Sequence, residues 1–467
     1  MSLLRAESVS FAFPQAGYGL APVSLQVEAA QTLFILGSSG CGKSTLARCL
    51  SGLIPHLYHG DYRGAVWLDG LRADQAPLWA FSEKVGLVFQ NPAAQMLAGT
   101  VEEEILFGLE NLGLGQSEAQ EQLEQALHSF GLEELRQRNP HTLSGGEQQK
   151  LALAALTARR PPFLVLDEPL SMLDTTAAHD FITALSKQIE DGLGVVVCEH
   201  RHEYLRRLPN LQKLELGREI HAPVTDQLES WPTSVQADWS LEVADLSVVR
   251  SGRLVLDRLN FATQGGKLAA LVGRNGAGKT TLLRALAGLQ PYTGKIQILE
   301  KGEGSKPDFG LVFQNADLQL FNASVKQEIL FRIERPDLGF YAVLVRALDL
   351  EKYEQTPPLL LSEGEKRRVA LATVLMRQPK HGVLLDEPAL GQDADHKHRL
   401  VQTLRRITDS GQFVIYSTHD IELAAQADIM FLINPEGIIS SGPPAQVLAD
   451  RAAWHKLGLL VPEWIVQ

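Results

Sequence analysis

The string Gly-x-x-x-x-Gly-Lys-Ser/Thr occurs twice in this chain, and that repetition restricts the fold more than any other feature. It runs from Gly37 to Gly42, Lys43 and Ser44, and again from Gly273 to Gly278, Lys279 and Thr280. Each copy follows a short apolar run, LFIL at 33–36 and LAALV at 268–272, and precedes a helical pattern. Such runs, bounded by glycine, read as buried strands of a parallel sheet. Glycines let the backbone turn its N–H groups onto phosphate oxygens. The lysine reaches the β/γ-phosphates of a nucleotide, and the Ser/Thr hydroxyl holds Mg²⁺. Candidate nucleotide ligands are therefore Gly37, Ser38, Gly40, Cys41, Gly42, Lys43, Ser44 and Thr45 in the first copy. In the second they are Gly273, Asn275, Gly276, Gly278, Lys279, Thr280 and Thr281.

The repetition extends along the whole chain. LVFQN at 87–91 returns at 311–315, LSGGEQQKLALAAL at 143–156 as LSEGEKRRVALATV at 361–374, and FLVLDEPLSMLD at 163–174 as VLLDEPALGQD at 383–393. Lys43 and Lys279 are 236 residues apart, Gln90 and Gln314 224, Ser144 and Ser362 218, and Asp167 and Asp386 219. The second copy is thus shorter between its glycine loop and Gln314, and again before Ser362. A fused duplication is the simplest account, and the period is far too long for a solenoid. The expected organisation is a first domain over 1–225, a linker over 226–238 and a second domain over 239–467, with two prolines, Pro223 and Pro232, in the boundary segment HAPVTDQLESWPTSVQA. SEAQEQLEQALHSFGL at 117–132 reads as an amphipathic helix, so the class is α/β.

Composition narrows the partners. The net charge of −12 and the lack of a Lys/Arg-rich block disfavour bulk nucleic acid. Three cysteines, Cys41, Cys49 and Cys198, without a CxxC pair suggest neither a disulfide framework nor a zinc site. They fit a reducing compartment. MSLLRAESVSFAFP has no signal-peptide pattern, and no run approaches the ~18–20 apolar residues that span a bilayer. A membrane role would be peripheral, at the cytoplasmic face and through a partner.

Asp167-Glu168 and Asp386-Glu387 each end an apolar strand. The aspartate is placed to hold Mg²⁺, and the glutamate to polarise an attacking water. LSGGE at 143–147, about twenty residues before such a strand end, resembles the signature of ABC ATPases. The resemblance implies two P-loop NTPase domains in tandem, each with a RecA-like core, an antiparallel β subdomain and a helical signature subdomain. It implies ATP and Mg²⁺ as cofactors, with ATP read by one half's P-loop and the other half's signature. Lys43 would then face Ser362, and Lys279 would face Ser144. Ser144, Gly145, Gly146, Glu147, Ser362, Gly364 and Glu365 join the nucleotide ligands on this basis. Gln90 and Gln314 match the Q-loop, with a share in the metal site beside Ser44, Asp167, Thr280 and Asp386. His200 and His419 match the switch histidine, Asp174 and Asp393 the D-loop aspartate, and Phe13 the adenine-stacking aromatic. Glu168, Glu387, His200, His419, Gln90 and Gln314 form the expected catalytic set.

Two departures stand out. The second signature has Glu363 where the first has Gly145, which sets a carboxylate either near ATP phosphates or into solvent. Arg250 stands at the second stacking position. The site of Lys43 and Ser362 is expected to be the slower of the two.

The segments after the glutamines read NPAAQML at 91–97 and NADLQLF at 315–321. This pattern, with VCEHR at 197–201, resembles the ATPase subunits of energy-coupling-factor (ECF) importers. That resemblance implies a transmembrane coupling protein and a small membrane substrate-binding protein as partners. The cargo would be a vitamin, a vitamin precursor or a transition-metal ion. Met96, Leu97, Leu320 and Phe321 are candidates to line a groove for a partner helix, and equally for plain core. Two rivals remain: a tandem sugar-importer ATPase, and a soluble tandem ABC ATPase acting on ribosomes or DNA. The motifs retained in the second half argue against the first. The lack of a long charged linker or cysteine-rich insertion argues against the second.

Overall fold

A computed structural model describes residues 2–14, 19–37, 41–171, 173, 175–199, 202–217, 238–250, 252–390, 392 and 394–459. Contacts divide the chain into two compact units, Met1–His221 and Ala222–Gln467. Of the expected linker 226–238, only Asp238 lies within the described residues.

In the first unit, strands Phe163–Asp167, Gly194–Cys198 and Thr32–Leu36 form the middle of a parallel sheet edged by Val85–Val88 and Leu211–Glu215. A separate antiparallel sheet joins Gly19–Glu28, Leu3–Ala12, Asp61–Leu68 and Leu71–Arg72. The second unit repeats both. Phe309–Val312, Gly382–Asp386, Phe413–Thr418, Leu268–Val272 and Ile429–Asn434 run parallel, and Gly437–Gly442 adds an antiparallel edge. Its second sheet orders Arg253–Gln264, Trp239–Arg250, Thr293–Glu300 and Glu303–Ser305.

The central strands read as continuous apolar runs because both faces are covered. Alternation survives only in which core each side chain enters. Leu33 and Ile35 pack with Leu46, Leu50 and the antiparallel sheet, while Phe34 points into the helical core with Leu151 and Leu166. Ala269 and Leu271 against Leu268, Ala270 and Val272 divide in the same way. Each parallel sheet is therefore a wall between two cores, and its loops emerge at one edge.

The helical parts explain the changing offsets. The first unit carries helices Leu78–Ser82, Val101–Asn111 and Gln116–Phe130 before Gly145–Ala158. The second has no counterpart of Leu78–Ser82 among its described residues, and its equivalents shrink to Val325–Ile329 and Leu338–Ala347 before Glu363–Leu375. The amphipathic helix expected at 117–132 forms as Gln116–Phe130. It buries Ala119, Leu123, Ala126, Leu127 and Phe130 and stops at Gly131 in a left-handed turn.

The second unit closes with helices Pro444–Ala449 and Arg451–Leu457 against strand Ile429–Asn434. Trp454 is 1% exposed and donates its indole N–H to the Val447 carbonyl at 2.8 Å. Trp454→Ala removes that volume and leaves the carbonyl unpaired. It should lower the stability of the second unit by about 3–5 kcal/mol in denaturant unfolding.

Candidate nucleotide-binding and hydrolysis sites

Both glycine loops leave the C-terminal end of a central strand and enter a helix, Lys43–Leu50 or Lys279–Leu286. Gly42 (φ 99°) and Gly278 (φ 93°) precede these helices in a left-handed conformation, so a side chain there would be strained. At Gly278 a Cβ would also lie 2.5 Å from Leu256. The buried Lys43 donates to the Gly37 carbonyl at 2.9 Å. The buried Lys279 donates to Gly273 at 2.7 Å and Arg274 at 3.1 Å. Each lysine is thus folded along the inside of its own loop. Ser38 and Gly40 lie outside the described residues.

The first helical turn also meets the neighbouring strand. Ser44 donates its hydroxyl to Asp167 at 3.1 Å, and Thr280 donates to Asp386 at 2.7 Å. Burial, reinforced by Glu168, pushes the Asp167 carboxyl up to about 7. Burial also raises Asp386, although Ser417 and Thr280 donate to it. A buried carboxylate beside a hydroxyl is a hard-oxygen donor set suited to Mg²⁺, which takes one or two protein ligands plus phosphate oxygens. The residues present fit that ion. Among the described residues no cluster of three or more His, Cys, Asp or Glu forms a self-sufficient metal site.

The two halves differ at this point. Ser417 donates to Asp386 at 2.6 Å and accepts from the Glu387 N–H at 3.0 Å. Its counterpart is Cys198, whose thiol lies 3.8 Å from the Lys43 carbonyl, while the Glu168 N–H bonds to the Cys198 carbonyl at 2.8 Å. Asp386 therefore has two hydroxyl donors where Asp167 has one.

Glu168 (φ 48°) and Glu387 (φ 50°) are buried and both left-handed, a conformation that costs about 1–3 kcal/mol for a side chain of this kind. In the first unit Gln90 donates to Glu168 at 2.5 Å. In the second, His419 Nδ1 lies 3.0 Å from Glu387. Burial raises the Glu387 carboxyl, but the His419 charge and hydrogen bonds outweigh it and hold it below the usual range. Gln314 is exposed, and among the described residues it makes no hydrogen bond to Glu387. His200, Asp174 and Asp393 lie outside the described residues.

Both signatures open a helix through a capping box. Ser144 N–H and hydroxyl reach Glu147 at 2.7 and 2.8 Å, and the Glu147 N–H returns to Ser144 at 3.3 Å. Ser362 and Glu365 repeat this at 2.8, 2.8 and 3.4 Å. Glu147 and Glu365 thus shape the turn, leaving helix-terminal N–H groups from Gly145, Gly146 and Gly364 available to an anion. Glu363 is neither loose in solvent nor an isolated charge. It lies 3.3 Å from Lys366, which also pairs with Asp317 at 2.8 Å. Phe13 sits beyond its strand, edge-on to the buried Phe11 at 4.8 Å, and is the half-buried member of the pair. Arg250 is exposed at the corresponding strand end.

Some residues gain roles that sequence reasoning did not assign. Gln95 accepts from Phe89 N–H and donates to the Leu87 carbonyl, both at 2.8 Å, which closes the Gln90 turn onto its strand. Gln319 does the same with Phe313 at 2.8 Å and Leu311 at 2.9 Å. Glu104 accepts from Leu97 and Ala98 N–H, and Glu328 from Phe321 and Asn322 N–H. A signal was present: Gln95 and Glu104 stand 5 and 14 residues after Gln90, as Gln319 and Glu328 do after Gln314.

The ABC transporter family matches this chain at residues 20–171 and 256–390, more than half of its length. This chain belongs to that family. It is an ATP-binding protein and an ATPase. It is 31% identical over 99% of its length to a Bacillus subtilis (strain 168) protein named "Putative HMP/thiamine import ATP-binding protein YkoD", covering 96% of that protein. A Treponema denticola ABC transporter ATP-binding protein is 33% identical over 86% of this chain and 89% of its own. The archaeal ribosome recycling factor aABCE1, solved with ribosomal stalk protein aP1, matches 95% of this chain and 92% of its own at a TM-score of 0.63 and 19% identity. That likeness concerns the tandem fold.

Cys41, inside the first loop, is half-buried, whereas Cys49 and Cys198 are fully buried. Burial pushes the Cys49 thiol up to about 12 and holds the Cys198 thiol well above the ordinary thiol range. N-ethylmaleimide should therefore modify Cys41 first, with ATP protecting it and the adduct reducing ATP binding. Peptide mass spectrometry and nucleotide binding of Cys41→Ser check this.

Proposed function

We propose that this chain is the energy-coupling ATPase of a membrane importer of ECF type, working at the cytoplasmic face. Its cargo would be a vitamin, a vitamin precursor or a transition-metal ion. The observation that carries the reading is the apolar pair after each Q-loop glutamine. Met96 and Leu320 are 5% and 3% exposed, while Leu97 and Phe321 are 73% and 64% exposed. The first residue of each pair anchors the segment in the core. The second, held by the N–H bonds to Glu104 or Glu328, offers apolar surface to a partner helix. Phe107 and Leu318 are likewise exposed apolar residues, at 50% and 67%. The import name of the B. subtilis relative supports the same reading. No described helix is long and apolar enough to cross a membrane, so the membrane partners, a coupling protein and a small substrate-binding protein, are separate chains in this proposal.

Lys43 and Lys279 bind the β/γ-phosphates, and the loop N–H groups cradle them. Ser44 with Asp167, and Thr280 with Asp386, would hold Mg²⁺, joined by Gln90 and Gln314; the ion neutralises phosphate charge. Glu168 and Glu387 orient the attacking water, with His200 and His419 beside the γ-phosphate. Phe13 stacks on adenine.

Affinity purification from gently solubilised membranes, read by mass spectrometry, tests the importer reading. A polytopic coupling protein and a small membrane protein should co-purify, and Leu97→Glu with Phe321→Glu should release them while ATPase activity persists. Recovery of ribosomal proteins or nucleic acid without a membrane partner would overturn it.

We also propose that the two ATP sites turn over unequally. The resemblance sets the signature containing Glu363 against the site served by Glu168, making that site the slower one. Glu387→Gln should then remove most steady-state hydrolysis, and Glu168→Gln a smaller share. Equal losses would sink the asymmetry.

A further inference from the structure

The second unit contains a cleft with no role in the steps above. It is a narrow cleft, open to solvent at its mouth, between the signature helix Glu363–Leu375, helix Ala394–Asp409 and the turn after helix Leu338–Ala347. Its floor is apolar, formed by Val312, Leu371, Leu385 and Leu400 among others. Its charged groups are strongly unbalanced: Arg367, Arg368 and Arg399 face it, against the single carboxylate of Asp349.

The duplication gives an internal reference for this imbalance. By the offsets of the two halves, Arg368 corresponds to Lys150 and Arg399 to Asp180. In the first unit those residues form an ion pair at 3.5 Å. The second unit has a cation where the first has the acid, so the residues that pair in the first unit are two arginines on the lining of one cleft here. Among the described residues neither Arg368 nor Arg399 forms an ion pair, and Arg368 Nε is buried with no hydrogen-bond partner. Arg367 is Gln149 in the first unit. It is anchored to the Leu390 carbonyl, which fixes it at the cleft wall. Two like charges around an apolar floor are unfavourable unless water or an anion answers them, and a buried donor without a partner has a desolvation cost of about 1–3 kcal/mol. Guanidinium groups match carboxylate and phosphate oxygens in fork geometry.

We propose that this cleft is a binding site for a small amphipathic anion, a carboxylate or phosphate monoester on an apolar body. The head bridges Arg368 and Arg399, and the body lies on the Val312–Leu371–Leu400 floor. The site is separate from both P-loops. It touches Val312 and Phe313 just before Gln314, and Pro388 just after Glu387. An occupant therefore braces the strands that carry those residues against the signature helix.

The test is thermal unfolding of the full chain, with and without saturating ATP, titrated with hexanoate and hexyl phosphate; 1-hexanol and acetate serve as controls. At least one amphipathic anion should raise the midpoint of the second unit saturably in both nucleotide states, with the two anions telling a carboxylate site from a phosphate site. Hexanol and acetate should bind on the order of tenfold or more weakly, since each lacks half of the match. Arg399→Asp, which restores the pair found in the first unit, should keep the fold and ATP binding but abolish the anion-dependent shift. Arg399→Lys should retain part of it. No saturable shift with either anion, or an equal shift in Arg399→Asp, would overturn the proposal.

Discussion

Two hydroxyl–carboxylate contacts, Ser44 to Asp167 and Thr280 to Asp386, join the first turn of each P-loop helix to the end of a neighbouring strand. The N–H groups of the loop, a buried lysine and a buried carboxylate are thereby held close together. The carboxylates are costly to bury, and burial together with the Glu168 charge pushes Asp167 upward. The surrounding structure supports them by rigid means: strands buried on both faces, and glutamates locked in left-handed backbone immediately beyond. The same left-handed backbone recurs at matching turns away from the site, Arg160 and Gln378 among them, so it belongs to the duplicated scaffold as well as to these glutamates.

Around that shared geometry the halves have diverged. Gln90 engages Glu168 in one, and His419 engages Glu387 in the other. Cys198 has lost the hydroxyl that Ser417 offers its aspartate. Glu363 would be an unfavourable charge at a signature, yet Lys366 and Asp317 draw it into a three-membered network in place of Gly145, Gln148 and Ala93. The network couples the signature helix to the segment after Gln314, a link that the first unit lacks at these positions. Duplication supplied two equal sites, and local electrostatic substitutions made them different.

The segments after Gln90 and Gln314 are shaped by their own side chains. Gln95 and Glu104 saturate the backbone of a turn that would otherwise bury unpaired N–H groups. With the turn held, Met96 enters the core and Leu97 remains outside. One pattern that reads as wholly core or wholly docking surface is in fact divided residue by residue, and the same division holds for Leu320 and Phe321.

The sequence by itself determined the duplication, the P-loops, the strand-end Asp-Glu pairs, the signatures and the amphipathic helix at 116–130. Each depends on local periodicity or on a residue type that its chemistry requires at fixed spacing. Tertiary structure alone decided where the charges of Arg368 and Arg399 go, that Lys366 ties Glu363 to Asp317, and which of Gln90, Gln314 and His419 reaches a glutamate. Those outcomes depend on side chains from distant segments meeting across a few ångströms, and spacing along the chain carries no measure of that distance.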